Sequence, residues 1–169
     1  MAKAALRPGS GSRLGIRFAL AVLLLGLGPV AAEDAPKAFG DWEYTCAPEG
    51  APCALSQSNV DKDTDNVRMR TEISRLADGR ILLSVTLPET VLLTEGPWLT
   101  IDGLFIGPLT YVTCAGGCLA RTAYTEGQFT LIAQGERGVV TVITNTGQRI
   151  GVALSLAGLP EALAALSAP

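Results

Sequence analysis

Tyr111-Val112-Thr113-Cys114-Ala115-Gly116-Gly117-Cys118-Leu119-Ala120 is the stretch that decides the fold class. Two cysteines flank a short turn, and β-forming residues lead into it. The Gly116-Gly117 step supplies the positive φ angles that a tight hairpin demands. The stretch therefore reads as two antiparallel strands whose neck is stapled by a disulfide. A second close pair, Cys46 and Cys53, encloses Pro48, Gly50 and Pro52 and repeats the design nearer the amino terminus.

Outward from these staples the chain reads as β-structure throughout. Trp42, Tyr44 and Cys46 alternate with polar neighbours, the period of a half-buried strand. Residues 53–60 follow as its partner. Asp61 to Asn66 reads as a solvated turn; it lacks the bend glycine and closing Glu of a calcium loop. Val67–Leu76 and Ile81–Leu87 form a hairpin across an Asp78-Gly79 turn. Short strand pieces follow at Val91–Leu93, Trp98–Asp102 and Gly103–Ile106, punctuated by Pro and Gly. This spacing indicates a sandwich or barrel rather than alternating β and α units. Residues 125–133 fit either a helix capped by Thr125, with Phe129, Ile132 and Ala133 inward, or a strand. A last hairpin turns at Asn145-Thr146-Gly147. Leu159 to Leu166 reads as a short helix covering an open end of the sheet, with Pro160 in its first turn.

The first 32 residues read as an export signal. Lys3, Arg7, Arg13 and Arg17 precede an apolar run from Phe18 to Leu27, and Pro29-Val30-Ala31-Ala32 places small residues for cleavage. The run is about ten residues, where a membrane span needs roughly 20. Neither a lipid-anchor cysteine nor an Arg-Arg pair accompanies it, so a cleavable Sec-type signal and a periplasmic destination are expected, with no stable membrane insertion afterwards. Outer-membrane association and secretion are the alternatives. Residues 33–38 read as a flexible leader and 39–169 as one domain. Removing the signal leaves nine basic and sixteen acidic residues. A net charge of about −7 opposes nucleic acid and anionic bilayers as partners.

Histidine is absent. That excludes Ser-His-Asp and Cys-His catalysis and imidazole zinc sites. A hydrolase built on carboxylates alone would need Asp102 to converge with Glu126 or Glu95 in one pocket. Asp102 precedes Gly103, however, and reads as a turn former. No enzyme, cofactor or metal is expected. In an oxidising compartment the four cysteines form two disulfides, in one of three connectivities. The local pairs Cys46–Cys53 and Cys114–Cys118 would each contribute roughly 2–2.5 kcal/mol, and a crossed pairing nearer 4.4 kcal/mol, on the chain-entropy model. Local pairing is expected nonetheless, because the turns already bring each pair together. A redox-active Cys114/Cys118 pair is the alternative; it would prefer Cys-x-x-Cys at a helix N-terminus. Trp98, beside Gly96-Pro97, is the candidate partner contact, with core packing as its alternative role.

The order of features carries a resemblance. Phe39-Gly40-Asp41-Trp42 precedes a Cys-turn-Cys ending near Gln57. Leu87–Leu93, Ile101-Asp102-Gly103 and the Cys-Ala-Gly-Gly-Cys block follow, and Leu154-Ser155-Leu156-Ala157-Gly158-Leu159 closes the set. Over residues 38–166 the chain resembles the invasion-associated locus B family of exported alphaproteobacterial proteins. The resemblance implies an all-β, immunoglobulin-like β-sandwich with a short C-terminal helix and local disulfides. The family is named for host-cell entry, a name that supplies no mechanism; the function expected here is a non-catalytic periplasmic or envelope interaction module with an envelope or host protein as partner. The family brings no catalytic motif.

Overall fold

The computed structural model describes residues 36–48, 52–61 and 66–167. The expected signal, residues 1–32, lies outside them, as do Lys62 to Asp65 of the polar turn. The expected leader ends sooner than residue 38. Lys37–Phe39 is already a strand, β1, antiparallel to Trp42–Cys46, β2, with Lys37 opposite Tyr44 and Phe39 opposite Trp42. The Phe39 ring meets Tyr44 edge-on at 6.5 Å, and the Lys37 ammonium lies 5.2 Å from the Phe39 centroid. These contacts hold a polar, Pro-led segment that composition alone marks as loose.

Three further strands then pair in chain order. β3 (Cys53–Asp61) sets Cys53 opposite Cys46, and β4 (Asn66–Arg75) pairs with β3. β5 (Ile81–Leu87) returns across the turn where Gly79 takes φ 83°. Val91 makes only a single bridge, to Thr144, where a short strand was expected. β6 (Trp98–Ile101) and β7 (Leu104–Pro108) form a hairpin on Asp102 and Gly103, both with positive φ (51° and 82°). β8 (Thr110–Cys114) and β9 (Cys118–Tyr124) then rejoin the first sheet beside β5. α1 (Glu126–Ala133) resolves the ambiguous segment as helix, because Thr125 and Gln128 form a complete capping box. β10 (Gly138–Ile143), β11 (Arg149–Leu154) and α2 (Leu159–Ser167) finish the chain.

The result is two antiparallel sheets, ordered β1-β2-β3-β4-β5-β9-β8 and β11-β10-β6-β7, as the sandwich expectation required. Alternation decides which residues fill the space between them. Leu55, Met69, Ile73, Leu83 and Val85 from the large sheet are buried with Leu99, Val140 and Val142 from the small one. Phe129 and Ile132 of α1 join the same core, as do Leu159, Ala162 and Leu166 of α2; Leu163 is only half-buried. α2 packs on β1 to β4 and on α1.

The two ends of the domain are tied together by polar contacts around Trp42, which is fully buried. Its indole N–H donates to the Ser155 carbonyl at 3.1 Å. The Gln57 side-chain oxygen accepts the Ser155 N–H at 3.0 Å, and its amide nitrogen lies 3.4 Å from the carbonyls of Asp41 and Ser155. Asp41 N–H donates to the Ala157 carbonyl, and the Ser155 hydroxyl donates to the Asp41 carboxylate at 2.5 Å. The backbones approach so closely here that only glycine fits. A methyl group at Gly158 would lie 2.3 Å from the Phe39 carbonyl oxygen, and one at Gly40 would lie 2.4 Å from that of Ala157.

Gly158 and Gly79 share a left-handed φ (80° and 83°), but nothing stands near Gly79. Gly79→Ala therefore isolates backbone strain and is expected to cost about 1–2 kcal/mol. Gly158→Ala adds a backbone collision and should cost about 3 kcal/mol or more. Urea unfolding of both variants checks this; equal losses would remove the close approach as a constraint.

Candidate functional site

The outer faces of the two sheets differ in chemistry. Across the large sheet one outward row reads Glu43, Ser56, Glu72, Ser84 and Arg121. The adjoining outward row reads Thr45, Ala54, Ser74, Leu82 and Ala123, and neither row holds an aromatic side chain. Across the small sheet the matching rows read Gly151, Thr141, Trp98, Pro108 and Ala153, Val139, Thr100, Phe105. Leu99 and Ile101 of β6 point inward to the core, so alternation places Trp98 outward. Its ring is half-buried, outside the core. The Arg149 guanidinium stands 5.4 Å from its centroid, a cation–π distance. Because Gly151 faces Thr141, which faces Trp98, no side chain on β11 stands between Arg149 and the ring.

Sequence reading singled out Trp98 but missed its neighbours. Phe105 is 66% exposed, and Leu104 and Leu131 are 71% and 70% exposed at the adjoining margin. Leu104 and Leu131 flank a groove of 480 Å³ between β7 and α1, with Tyr124 in its wall. Burial raises the Tyr124 phenol above its ordinary pKa, and its hydroxyl has no partner among the described residues. The signal was Leu104-Phe105-Ile106, an apolar run directly after a two-residue turn that places one large side chain on each face.

The cysteines pair locally, Cys46 with Cys53 and Cys114 with Cys118, each across directly opposed strand positions. The Cys114–Cys118 bond closes the β8–β9 hairpin. Cys118 is buried and Cys114 exposed. Glu89 is bonded to the turn, its carboxylate accepting the Gly116 N–H at 2.8 Å, and Arg70 lines the same shallow pocket beside Gly116 and Gly117. A carboxylate there disfavours a thiolate, and α1 starts eight residues beyond Cys118, too far for its N-terminus to favour one.

The candidate acids do not converge. The Asp102 carboxylate accepts the backbone N–H groups of Glu136 and Arg137, at 3.1 and 2.8 Å, and so fixes the loop after α1. Glu126 pairs with Arg75 at 3.0 Å, and Arg75 also donates to the Ser167 hydroxyl, joining β4 to both helices. Glu95 lies in the turn before β6, at the opposite end of that strand from Asp102. Among the described residues no group of three His, Cys, Asp or Glu side chains could hold a metal ion, and no helix is long and apolar enough to cross a membrane.

Residues 42–167 match the family model described as invasion associated locus B protein. Two invasion protein B homologs of Brucella abortus, from strain 2308 and from biovar 1 strain 9-941, are each 25% identical to this chain over 139 residues. The alignments cover 80% of this chain and 80% of each relative. The crystal structure of invasion associated protein B from Bartonella henselae superposes with a TM-score of 0.65 at 18% identity, over 78% of this chain and 95% of that one. That likeness confirms the fold.

The surroundings of Cys114 and Cys118 predict ordinary structural thiols. Equilibration with thiol–disulfide buffers should give the Cys114–Cys118 bond a reduction potential below about −300 mV, the range of structural disulfides. A potential near about −200 mV, that of glutaredoxins, would restore the redox reading.

Proposed function

The chain belongs to the invasion associated locus B family, and from that premise we propose that it is an exported, non-catalytic interaction module of the cell envelope. Its contact face is the outer surface of the small sheet, centred on Trp98. One observation carries this reading: the small sheet turns two aromatic side chains, Trp98 and Phe105, outward beside Val139, where the outward rows of the large sheet carry none. Aromatic residues with an arginine alongside are the composition enriched at protein interfaces, and Trp98 with Arg149 supplies that pair. The rigid sheet beneath holds the aromatic residues in place before a partner arrives, which limits the ordering entropy of binding.

The signal-like residues 1–32 support export, and two disulfides fit an oxidising periplasm. A non-catalytic role is supported by a chain without histidine, in which Asp102 and Glu126 are engaged structurally. The relatives' names speak of invasion. For this chain, a contribution to host-cell entry is the narrower form of the same reading, in which the partner of the Trp98 face is a host protein.

A photo-crosslinking amino acid placed at Trp98 in the full-length protein, in living cells, tests the face directly. It should yield a discrete adduct with one envelope or host protein, and Phe105→Asp should weaken that adduct at least fivefold. The same probe at Arg121, on the polar face, should yield none. Equal capture from both faces, or none from Trp98, would overturn the assignment.

A further inference from the structure

We propose that the free edge of β11 and the cleft beside it form a second binding site, which takes an extended peptide segment as an added strand. This site is separate from the Trp98 face.

The edge strands of the two sheets are not equivalent. β1 has three residues and carries Lys37. β7 contains Pro108 and pairs through a register shift, and β8 pairs through another. Short length, lysine, proline and bulges are the devices that keep a sheet edge from accepting a further strand. β11 is twice as long as β1 and has neither proline nor bulge, and its one charged side chain, Arg149, is turned over the Trp98 ring. Its six residues pair with β10 in unbroken register from Arg149–Ile143 to Leu154–Gly138.

Alternation identifies the groups this edge presents. Ser155 N–H and C=O bond to the side chains of Gln57 and Trp42, and the Ala153 C=O accepts the Asn59 side-chain amide. These groups point away from β10. In an antiparallel strand every second residue points the same way, so Gly151 N–H and C=O and the Ala153 N–H face outward too. None of the three has a partner among the described residues. Side chains of the large sheet thus occupy the lower part of the edge, and the upper part is left to be paired.

Next to that upper part lies a cleft of 760 Å³ between the sheets, within the range of about 300–1,000 Å³ typical of ligand sites. Leu87, Val91, Val142, Ile150 and Val152 give it an apolar wall. Ile150 is 42% exposed although it projects from the core-facing side of its strand. An added strand would place alternate side chains against this wall while its backbone bonds to Gly151 and Ala153. Strand repeat and apolar wall together select an extended peptide with apolar residues at every second position. The excess of acidic residues after position 32, with Asp41 at the cleft margin, selects neutral or basic flanks over acidic ones.

The probe is a terminally blocked synthetic octapeptide of alternating valine and threonine with a lysine at each end. It is titrated into ¹⁵N-labelled protein and followed by amide resonances and hydrogen exchange. Binding should move the Gly151 and Ala153 resonances and slow exchange of both amides at least tenfold, with Ile150 and Val152, already in the ladder, little changed. Ala153→Pro removes an outward donor without touching the β10 ladder and should weaken binding at least tenfold. Ile150→Ser, which keeps the strand and alters only the wall, should weaken it at least threefold. Trp98→Ala should leave it unchanged, so that failure of this site and failure of the Trp98 face remain distinct. Three results would each overturn the proposal. One is no shift at millimolar peptide, or shifts on β7 instead. Another is protection of Gly151 and Ala153 that grows with protein concentration without peptide, which assigns the edge to a second copy of the chain. The third is equal binding by a peptide with a central proline, which assigns the cleft to a ligand that does not extend the sheet.

Discussion

The indole N–H of Trp42 has one acceptor, the Ser155 carbonyl, and the geometry of the domain depends on that bond being made. Trp42 is fully buried, and a buried donor without a partner costs roughly 1–3 kcal/mol. Gln57 meets the same residue from the neighbouring strand and satisfies the Ser155 N–H. Together they bring the end of β11 onto the inner face of the large sheet. The Gly40–Gly158 approach then turns the chain so that α2 lies across the sandwich end. Residues 39–42 and 155–159, over a hundred positions apart, thus form one structural unit.

Much follows from where this unit places β11. Asn59 covers its lower end at Ala153, Gln57 and Trp42 hold Ser155 just beyond it, and the cleft lies beside its upper half. Arg149, at the start of the strand, reaches across a side-chain-free Gly151 to Trp98. The same strand therefore shapes both proposed contact regions, one through its outer face and one through its edge. The disulfides act more locally. Each joins residues that are already opposite in a hairpin, which fixes register but does not connect the sheets.

Local features were legible in the sequence, and long-range ones were not. The hairpin at Gly79, both cysteine turns and the covering helix at Leu159 each rest on residues within a few positions of one another. The helix at 126–133 was undecided by periodicity alone; the reciprocal bonds of Thr125 and Gln128 decide it. Lys37 and Ala38 read as loose because their order comes from pairing with Tyr44 and Glu43 rather than from composition. Asp102 read correctly as a turn former, but its second role, holding Glu136 and Arg137 from 34 and 35 residues away, has no local trace. Trp98 was visible as a large residue near a Gly-Pro step. That it faces outward depends on Leu99 and Ile101 being the inward pair, which only the partner strands reveal.

Native-state hydrogen exchange tests the central dependence most directly. If the Trp42–Gln57–Ser155 unit holds the domain together, the amides of Asp41, bonded to Ala157, and of Ala162 in α2 exchange only on global unfolding. Their opening free energies would then equal those of the β5 core amides at Leu83 and Val85, with the same denaturant dependence. If Asp41 and Ala162 instead exchange through an opening of much lower free energy, the terminal segments are a detachable cover and the Trp42–Gln57–Ser155 unit does not hold the domain together.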